Sequence, residues 1–405
     1  MRPGNVAFGV GQPSCDLLPT AMVRRAAAEL FGGYADASGD PRESLQYADT
    51  RGTVGFRGQL AAFLGETVAA GRRTVDPDAL VATNGSSLGL NMCAAALLRH
   101  GDTVLCEQYT YFLARKTLED NGLNLVGVPC DDDGIIVEGL EDIARATNAK
   151  GFYCIPTYQN PTGTILSLER RRALVEIAQN RKMLLLCDDV YDALHWGADA
   201  APPSPLVEIA LENRNKEDRD GIASVVSIGS FSKIAGPGLR LGWLEASHSD
   251  LLIDILRSGW VDSGGGLNPI TSEIMRVSME SGAFADNVAR VKHELQLRCE
   301  ALCDAVQEEL RWKFLRPTGG CFVWVWVLID VDIAKMRAVA EALPDCEGVS
   351  WMSSDIAAIP LSHPEESQGG DTNRAIRLSF AFYGKDELVD GVRRIAKLPS
   401  VAAEL

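Results

Sequence analysis

One alternation governs what this chain can fold into: short apolar runs, each followed by a stretch of helical periodicity. The runs at 80–83, 103–107, 123–128, 151–156, 183–187 and 225–229 read as strands, with a shorter one at 241–243. The patterns at 88–99, 112–121 and 168–180 read as helices, and 143–146 lies between the strand runs at 123–128 and 151–156. Because the runs are apolar throughout rather than at every second residue, both faces of their sheet must be covered, which implies a largely parallel sheet between helices. Residues 1–45 carry turn residues and one helical stretch near 21–30, so they read as an arm associated with a smaller domain. Residues 55–71 again show a helical pattern. Long helical periodicity at 270–307, a strand-like run at 322–329 and another at 377–382 read as a second, smaller α+β domain. The expected division is an arm at 1–45, a large domain at 46–270 and a small domain at 271–405. Polar loops are expected at 211–221 and 361–371.

Composition narrows the partners. A net charge of −16 repels phosphate backbones, which argues against nucleic acid while leaving room for a local anion pocket. No run of eighteen apolar residues would span a membrane, and residues 1–10 lack the apolar stretch of a signal peptide. The ten cysteines are scattered without a CxxC pair, which points to free thiols and a cytoplasmic setting. His100, His195, His248, His293 and His363 show no ligand spacing with one another or with cysteine, so no metal is expected.

The chemistry concentrates at SIGSFSKIAGPGLRLGW, residues 227–243. A strand delivers Ser230, Ser232 and Lys233 into a turn, the Gly236-Pro237-Gly238 run allows a close backbone approach, and Arg240 follows. A lysine among hydroxyls beside one arginine suits a Schiff-base amine next to an anion, because burial and a neighbouring cation favour the free amine. The alternative of a dinucleotide loop lacks the GxGxxG spacing and falls late in the series. Further upstream, Gly85, Ser86 and Ser87 lie between a strand and a helix, where backbone N–H groups and hydroxyls form a phosphate cradle. Asn160 stands in an Asn-Pro-Thr-Gly turn after a buried strand. At the end of the next strand come Asp188, Asp189 and Tyr191, and a carboxylate there can keep a ring nitrogen protonated. Arg377 begins a late apolar strand, where a guanidinium can grip a carboxylate through two parallel bonds; Arg374 is the nearby alternative.

In this order the motifs resemble those of the class I/II, fold-type I aminotransferases, over roughly residues 5–400. The resemblance implies an α/β fold-type I pyridoxal-phosphate (PLP) transferase: a large domain with a mostly parallel sheet plus a smaller α+β domain. It implies pyridoxal 5'-phosphate bound as a Schiff base to Lys233, with Ser230, Arg240, Gly85, Ser86 and Ser87 around its phosphate. By the same likeness Tyr111 stacks on the ring, Asp188 meets the ring nitrogen, and Asn160 and Tyr191 meet the phenolic oxygen. Arg377 binds the substrate carboxylate, with Asn160 nearby and the Gly11 backbone beside the substrate. Tyr47 reaches the cofactor phosphate of a neighbouring subunit, which implies a homodimer. Two departures stand out: Tyr109 replaces the family's proline before the stacking aromatic, and WMSSDIAAIP at 351–360 replaces its Pro-Gly-x-x-Phe segment, a region that in the family commonly borders the substrate.

The implied activity is an aminotransferase working on an α-amino acid and a 2-oxo acid, with Lys233, Asp188 and Tyr191 as the catalytic set. The same first proton removal also opens β- or γ-elimination and replacement, as in a C–S lyase, and the motifs do not separate these reactions.

Overall fold

The computed structural model describes residues 4–32, 41–197, 201–214, 223–328, 332–343, 348–361 and 374–402. Seven strands form the main sheet: β1 (Leu80–Thr83), β2 (Thr103–Glu107), β3 (Asn124–Val128), β4 (Gly151–Cys154), β5 (Leu184–Asp188), β6 (Val225–Ser230) and β7 (Gly242–Ala246). Their order is β1-β7-β6-β5-β4-β2-β3. Every residue of β1, β4, β5, β6 and β7 is buried, as expected of strands that are apolar on both sides. β7 alone runs antiparallel, between β1 and β6. The reason is the connection before it: no crossover helix separates Ser230 from Gly242, so the chain turns back at the same end of the sheet and the two residues pair.

Helices α1 (Thr20–Gly32), α2 (Val54–Phe63), α3 (Ser86–Leu97), α4 (Phe112–Asp120), α5 (Leu168–Arg181) and α6 (Leu206–Arg214) precede or connect these strands. The helical pattern at 270–307 divides into α7 (Pro269–Glu280) and α8 (Ala283–Ala305), because Gly282 at φ +77° turns the chain between them. The loop expected at 211–221 begins inside α6, which extends to Arg214. Its remainder, and residues 362–371 of the second expected loop, lie outside the described residues.

A second, four-stranded antiparallel sheet follows: β8 (Lys313–Phe314), β9 (Phe322–Trp326), β10 (Met352–Ser353) and β11 (Ala375–Ser379), ordered β8-β9-β11-β10. The strand expected at 377–382 is β11, which starts two residues earlier. Arg377 is therefore central, paired with Trp324 on one side and Met352 on the other. Val6–Ala7 pairs with Val349–Ser350, which ties the beginning of the chain to this smaller unit.

Candidate active site

In a parallel sheet the strand carboxyl ends and the helix N-termini that follow point the same way, and ligands collect there. The ends of β1, β2, β4, β5 and β6 carry or lead to Gly85, Tyr111, Asn160, Asp188 and Ser230. β11 brings Arg377 from the smaller sheet, and the N-terminal segment brings Gly11. Gly11, Ser86, Ser87, Tyr111, Asn160, Asp188, Tyr191, Ser230, Lys233, Arg240 and Arg377 all line one cavity of about 330 Å³.

The ammonium of Lys233 donates to the Gly11 carbonyl at 2.5 Å and lies 5.9 Å from the Tyr191 ring centre. Burial lowers its pKa below the usual lysine range, and Arg377 works in the same direction. Asp188 is pushed up to about 6, chiefly by burial. Tyr191 is buried, and that burial holds its phenol well above the usual range, so the hydroxyl keeps its proton. Arg377 lies over the Phe322 ring at 4.1 Å, donates to Asn160 Oδ1 at 2.7 Å and to the Gly9 carbonyl at 2.7 Å, and is lowered to about 10 by burial.

A separate corner is built around the N-terminus of α3. Gly85, at φ +86° and ψ 166°, caps that helix with Ser86 and Ser87 as its first residues. Arg240 folds over it: a Cβ at position 85 would stand 2.8 Å from Arg240 Nη2. Asn268 Nδ2 donates to the Arg240 carbonyl at 2.6 Å and secures the turn. Oriented N–H groups, hydroxyls and a guanidinium together make a dianion site.

The residues fit the cofactor that the motifs imply. Asp188 Oδ1 is buried without a hydrogen-bond partner, and such an oxygen is costly unless a cationic donor meets it. Arg377 Nε is likewise buried without an acceptor. The glycine at 85 keeps open the space that a phosphate beside Arg240 would need.

Two segments singled out in the sequence lie outside this cavity, as Tyr47 must if it serves a neighbouring subunit. Tyr47 does not line this cavity and is 82% exposed. The 351–360 segment does not line it either. It docks instead on the 108–110 turn and on β3: Ile359 N–H donates to Gln108 O at 2.8 Å, Thr110 N–H to Ala357 O at 3.0 Å, and Gly127 N–H to Pro360 O at 2.7 Å. The turn without its proline is held by Gln159, whose Nε2 donates to the Tyr109 carbonyl at 2.6 Å. Asp189 faces away from the cavity and accepts from Ser227 Oγ.

Three residues escaped the sequence reading. Tyr153 donates to Asp188 Oδ2 at 2.7 Å. Glu107, pushed up to about 7 by burial, accepts from Ile155 N–H at 2.8 Å and Thr110 Oγ1 at 3.0 Å, tying the two loops that present Tyr111 and Asn160. Arg171, fully buried on α5, binds the Pro156 and Leu166 carbonyls, both at 2.8 Å, and holds the loop carrying Asn160. The available signal was a polar or charged side chain inside an apolar strand or on a helix face packed against the sheet, where burial demands a partner.

The comparisons with known proteins agree with this geometry. A family model described as aminotransferase class I and II matches residues 4–392. The 2-aminoadipate transaminase of Thermus thermophilus is 27% identical over 98% of this chain and 90% of its own length. Aromatic-amino-acid aminotransferase 1 of Thermococcus litoralis is 25% identical over 97% and 87%. The crystal structure of the α-aminoadipate aminotransferase LysN from Thermus thermophilus, complexed with N-(5'-phosphopyridoxyl)-L-leucine, superposes with a TM-score of 0.80 at 25% identity, covering 99% of this chain and 94% of that one. With a family match over nearly its whole length and the fold to go with it, the chain belongs to the class I and II aminotransferases and is a pyridoxal-phosphate-dependent transferase of fold type I.

Proposed function

We propose that this aminotransferase moves the amino group of an α-amino acid with an uncharged side chain to a 2-oxo acid, using the residues of the cavity described above. When bound, pyridoxal phosphate supplies an electron sink for negative charge at the substrate's α-carbon. Lys233 would hold the cofactor and would take the proton from that α-carbon; its depressed pKa keeps a share of it in the basic form. Asp188 keeps the ring nitrogen protonated through its open Oδ1. Tyr111 would cover one face of the ring, and Tyr191 and Asn160 would donate to the phenolic oxygen. Gly85, Ser86, Ser87, Ser230 and Arg240 hold the phosphate, and Arg377 with Asn160 aligns the substrate carboxylate beside the Gly11 backbone. Val10, Gln12, Phe112, Leu113 and Phe322 also line the cavity. Among the described residues no cation beyond Lys233, Arg240 and Arg377 lines the cavity, which favours apolar or aromatic side chains.

The working unit in this proposal is a cytoplasmic homodimer. Leu45, Tyr47 and Val54 are all more than half exposed, a patch suited to a second copy, and Tyr47 would reach that copy's phosphate corner. The nine described cysteines are all unpaired. Among the described residues no helix is long and apolar enough to cross a membrane. The division at 45 and 270 places the arm with the small domain that carries Arg377, supported by the Val6–Ala7 pairing.

The observation that carries the reading is the meeting, in one cavity, of an amine depressed by burial, a buried carboxyl with one unpartnered oxygen, and a buried guanidinium. The test is the visible spectrum of the loaded protein with single amino acids and no oxo acid. We expect loss of the visible band together with one equivalent of 2-oxo acid per subunit. Ammonia or a side-chain fragment released with the band retained would move the enzyme to elimination or replacement.

A further inference from the structure

Asp188 is held from one side only. It ends β5 with one carboxylate oxygen unpartnered, and the other receives its single hydrogen bond from Tyr153 Oη at 2.7 Å. Tyr153 lies on the adjacent strand β4, opposite Leu186, and is fully buried in a strand that is otherwise glycine, phenylalanine and cysteine. A leucine or phenylalanine would pack there without a buried hydroxyl to satisfy, so packing alone does not call for a tyrosine. We propose that Tyr153 is a positioning residue for the reaction, its hydroxyl fixing one oxygen of Asp188 so that the other is presented to the cofactor's ring nitrogen. The inference rests on the reading that Asp188 meets that nitrogen.

The surroundings explain why a fixed donor is needed. Burial disfavours the charged carboxylate, and Asp189 beside it and Glu107 on β2 add like charge. Lys233 opposes them from across the cavity. Tyr111, Tyr191 and Asp192 are the other titratable groups that feel Asp188, and none of them donates to it. Among the described residues Tyr153 is therefore the one side-chain hydrogen-bond donor that favours the ionised form. Burial and the nearby carboxylate hold its own phenol well above the usual range. It keeps its proton at every working pH, whereas a histidine in that place would itself titrate.

The test uses two substitutions at one position, in the full chain. Tyr153→Phe removes the donor with little change of shape, and 3,5-difluorotyrosine at 153 makes a stronger donor. In the cofactor-free protein with ¹³C-labelled aspartate carboxyls, the Asp188 signal is identified by its loss in Asp188→Asn. Tyr153→Phe should raise the Asp188 titration midpoint by roughly one to two pH units, the difference expected for one hydrogen bond to a charged group. Difluorotyrosine should lower it, an opposite sign that a packing defect would not produce. In the loaded enzyme, the ¹⁵N signal of labelled pyridoxal phosphate should move toward unprotonated pyridine in Tyr153→Phe. Midpoints and ring signal unchanged in both variants would overturn the inference. A wild type that takes up no cofactor, or whose ring signal ignores Asp188→Asn, would sink the cofactor reading and this inference with it. A normal response to Asp188→Asn with none to Tyr153→Phe would sink this inference alone.

Discussion

Gly85→Ala tests whether the phosphate corner depends on glycine for the reason the geometry gives. At φ +86° and ψ 166° the residue occupies a region that only glycine enters cheaply, so alanine costs on the order of 1–3 kcal/mol in backbone strain. The new Cβ would also stand 2.8 Å from Arg240 Nη2 and 3.3 Å from Cζ, closer than carbon tolerates. Something must move, and the guanidinium is the softer partner, since its contact with the Asn84 carbonyl is long at 3.4 Å. A displaced Arg240 loses a charge-assisted bond to the phosphate, about 1.5–3 kcal/mol, which corresponds to roughly a tenfold to hundredfold weaker Kd for pyridoxal phosphate. The assay is equilibrium titration of cofactor-free protein with pyridoxal phosphate, alongside its thermal unfolding. Gly71→Ala is the control: Gly71 also sits at positive φ, +75°, with nothing within 4 Å of a Cβ. It should lose stability and keep the wild-type Kd. Unchanged affinity in Gly85→Ala, or an equal loss in Gly71→Ala, would refute the argument.

Lys233→Ala should abolish turnover and leave any bound cofactor unlinked, so that denaturation releases it even after borohydride reduction, which fixes it covalently to the wild-type chain; near-normal turnover would overturn the assignment. Arg377→Ala should raise the amino-acid KM by roughly a hundredfold, the loss of two charged hydrogen bonds, and an unchanged KM would transfer the role to Arg374. Glu107, at about 7 when folded against an ordinary 4.5, binds more protons folded than unfolded between those values. Its stabilising contribution is thus fully present below about 4.5 and lost as pH rises through about 7, so Glu107→Gln should gain on wild type across that window by up to ~3 kcal/mol in denaturant unfolding. Tyr47→Phe should weaken cofactor binding, and mixing it with Lys233→Ala should restore activity in hybrid dimers if Tyr47 serves its neighbour; no recovery on mixing would place it in structure only.

The site was legible wherever its chemistry is written in consecutive residues. Ser230 to Gly242, the Asn160 turn and the Asp188–Tyr191 pair are local motifs, and each sits at a strand end because the strands were legible as apolar runs. Glu107, Tyr153 and Arg171 were not, since each acts through a partner on another strand or loop. A tyrosine within GFYC looks like any other aromatic core residue until its hydroxyl is found on Asp188. The 351–360 segment failed for a similar reason: its residues hydrogen-bond backbone atoms at 108–110 and 127, and backbone edges leave no mark on side-chain pattern.

Sequence alone determined the layered architecture and the order of the strand-borne motifs, and it singled out Lys233 as the proposed reactive lysine, because apolar period, turn chemistry and local spacing are properties of neighbouring residues. Only the tertiary structure decided that β7 runs against its neighbours and that Arg377 bonds Asn160 across the two sheets. It also decided that one oxygen of Asp188 is held and the other left open. Those outcomes depend on which distant segments share a boundary and on how burial shifts charge between them. Neither quantity exists until the chain has closed on itself.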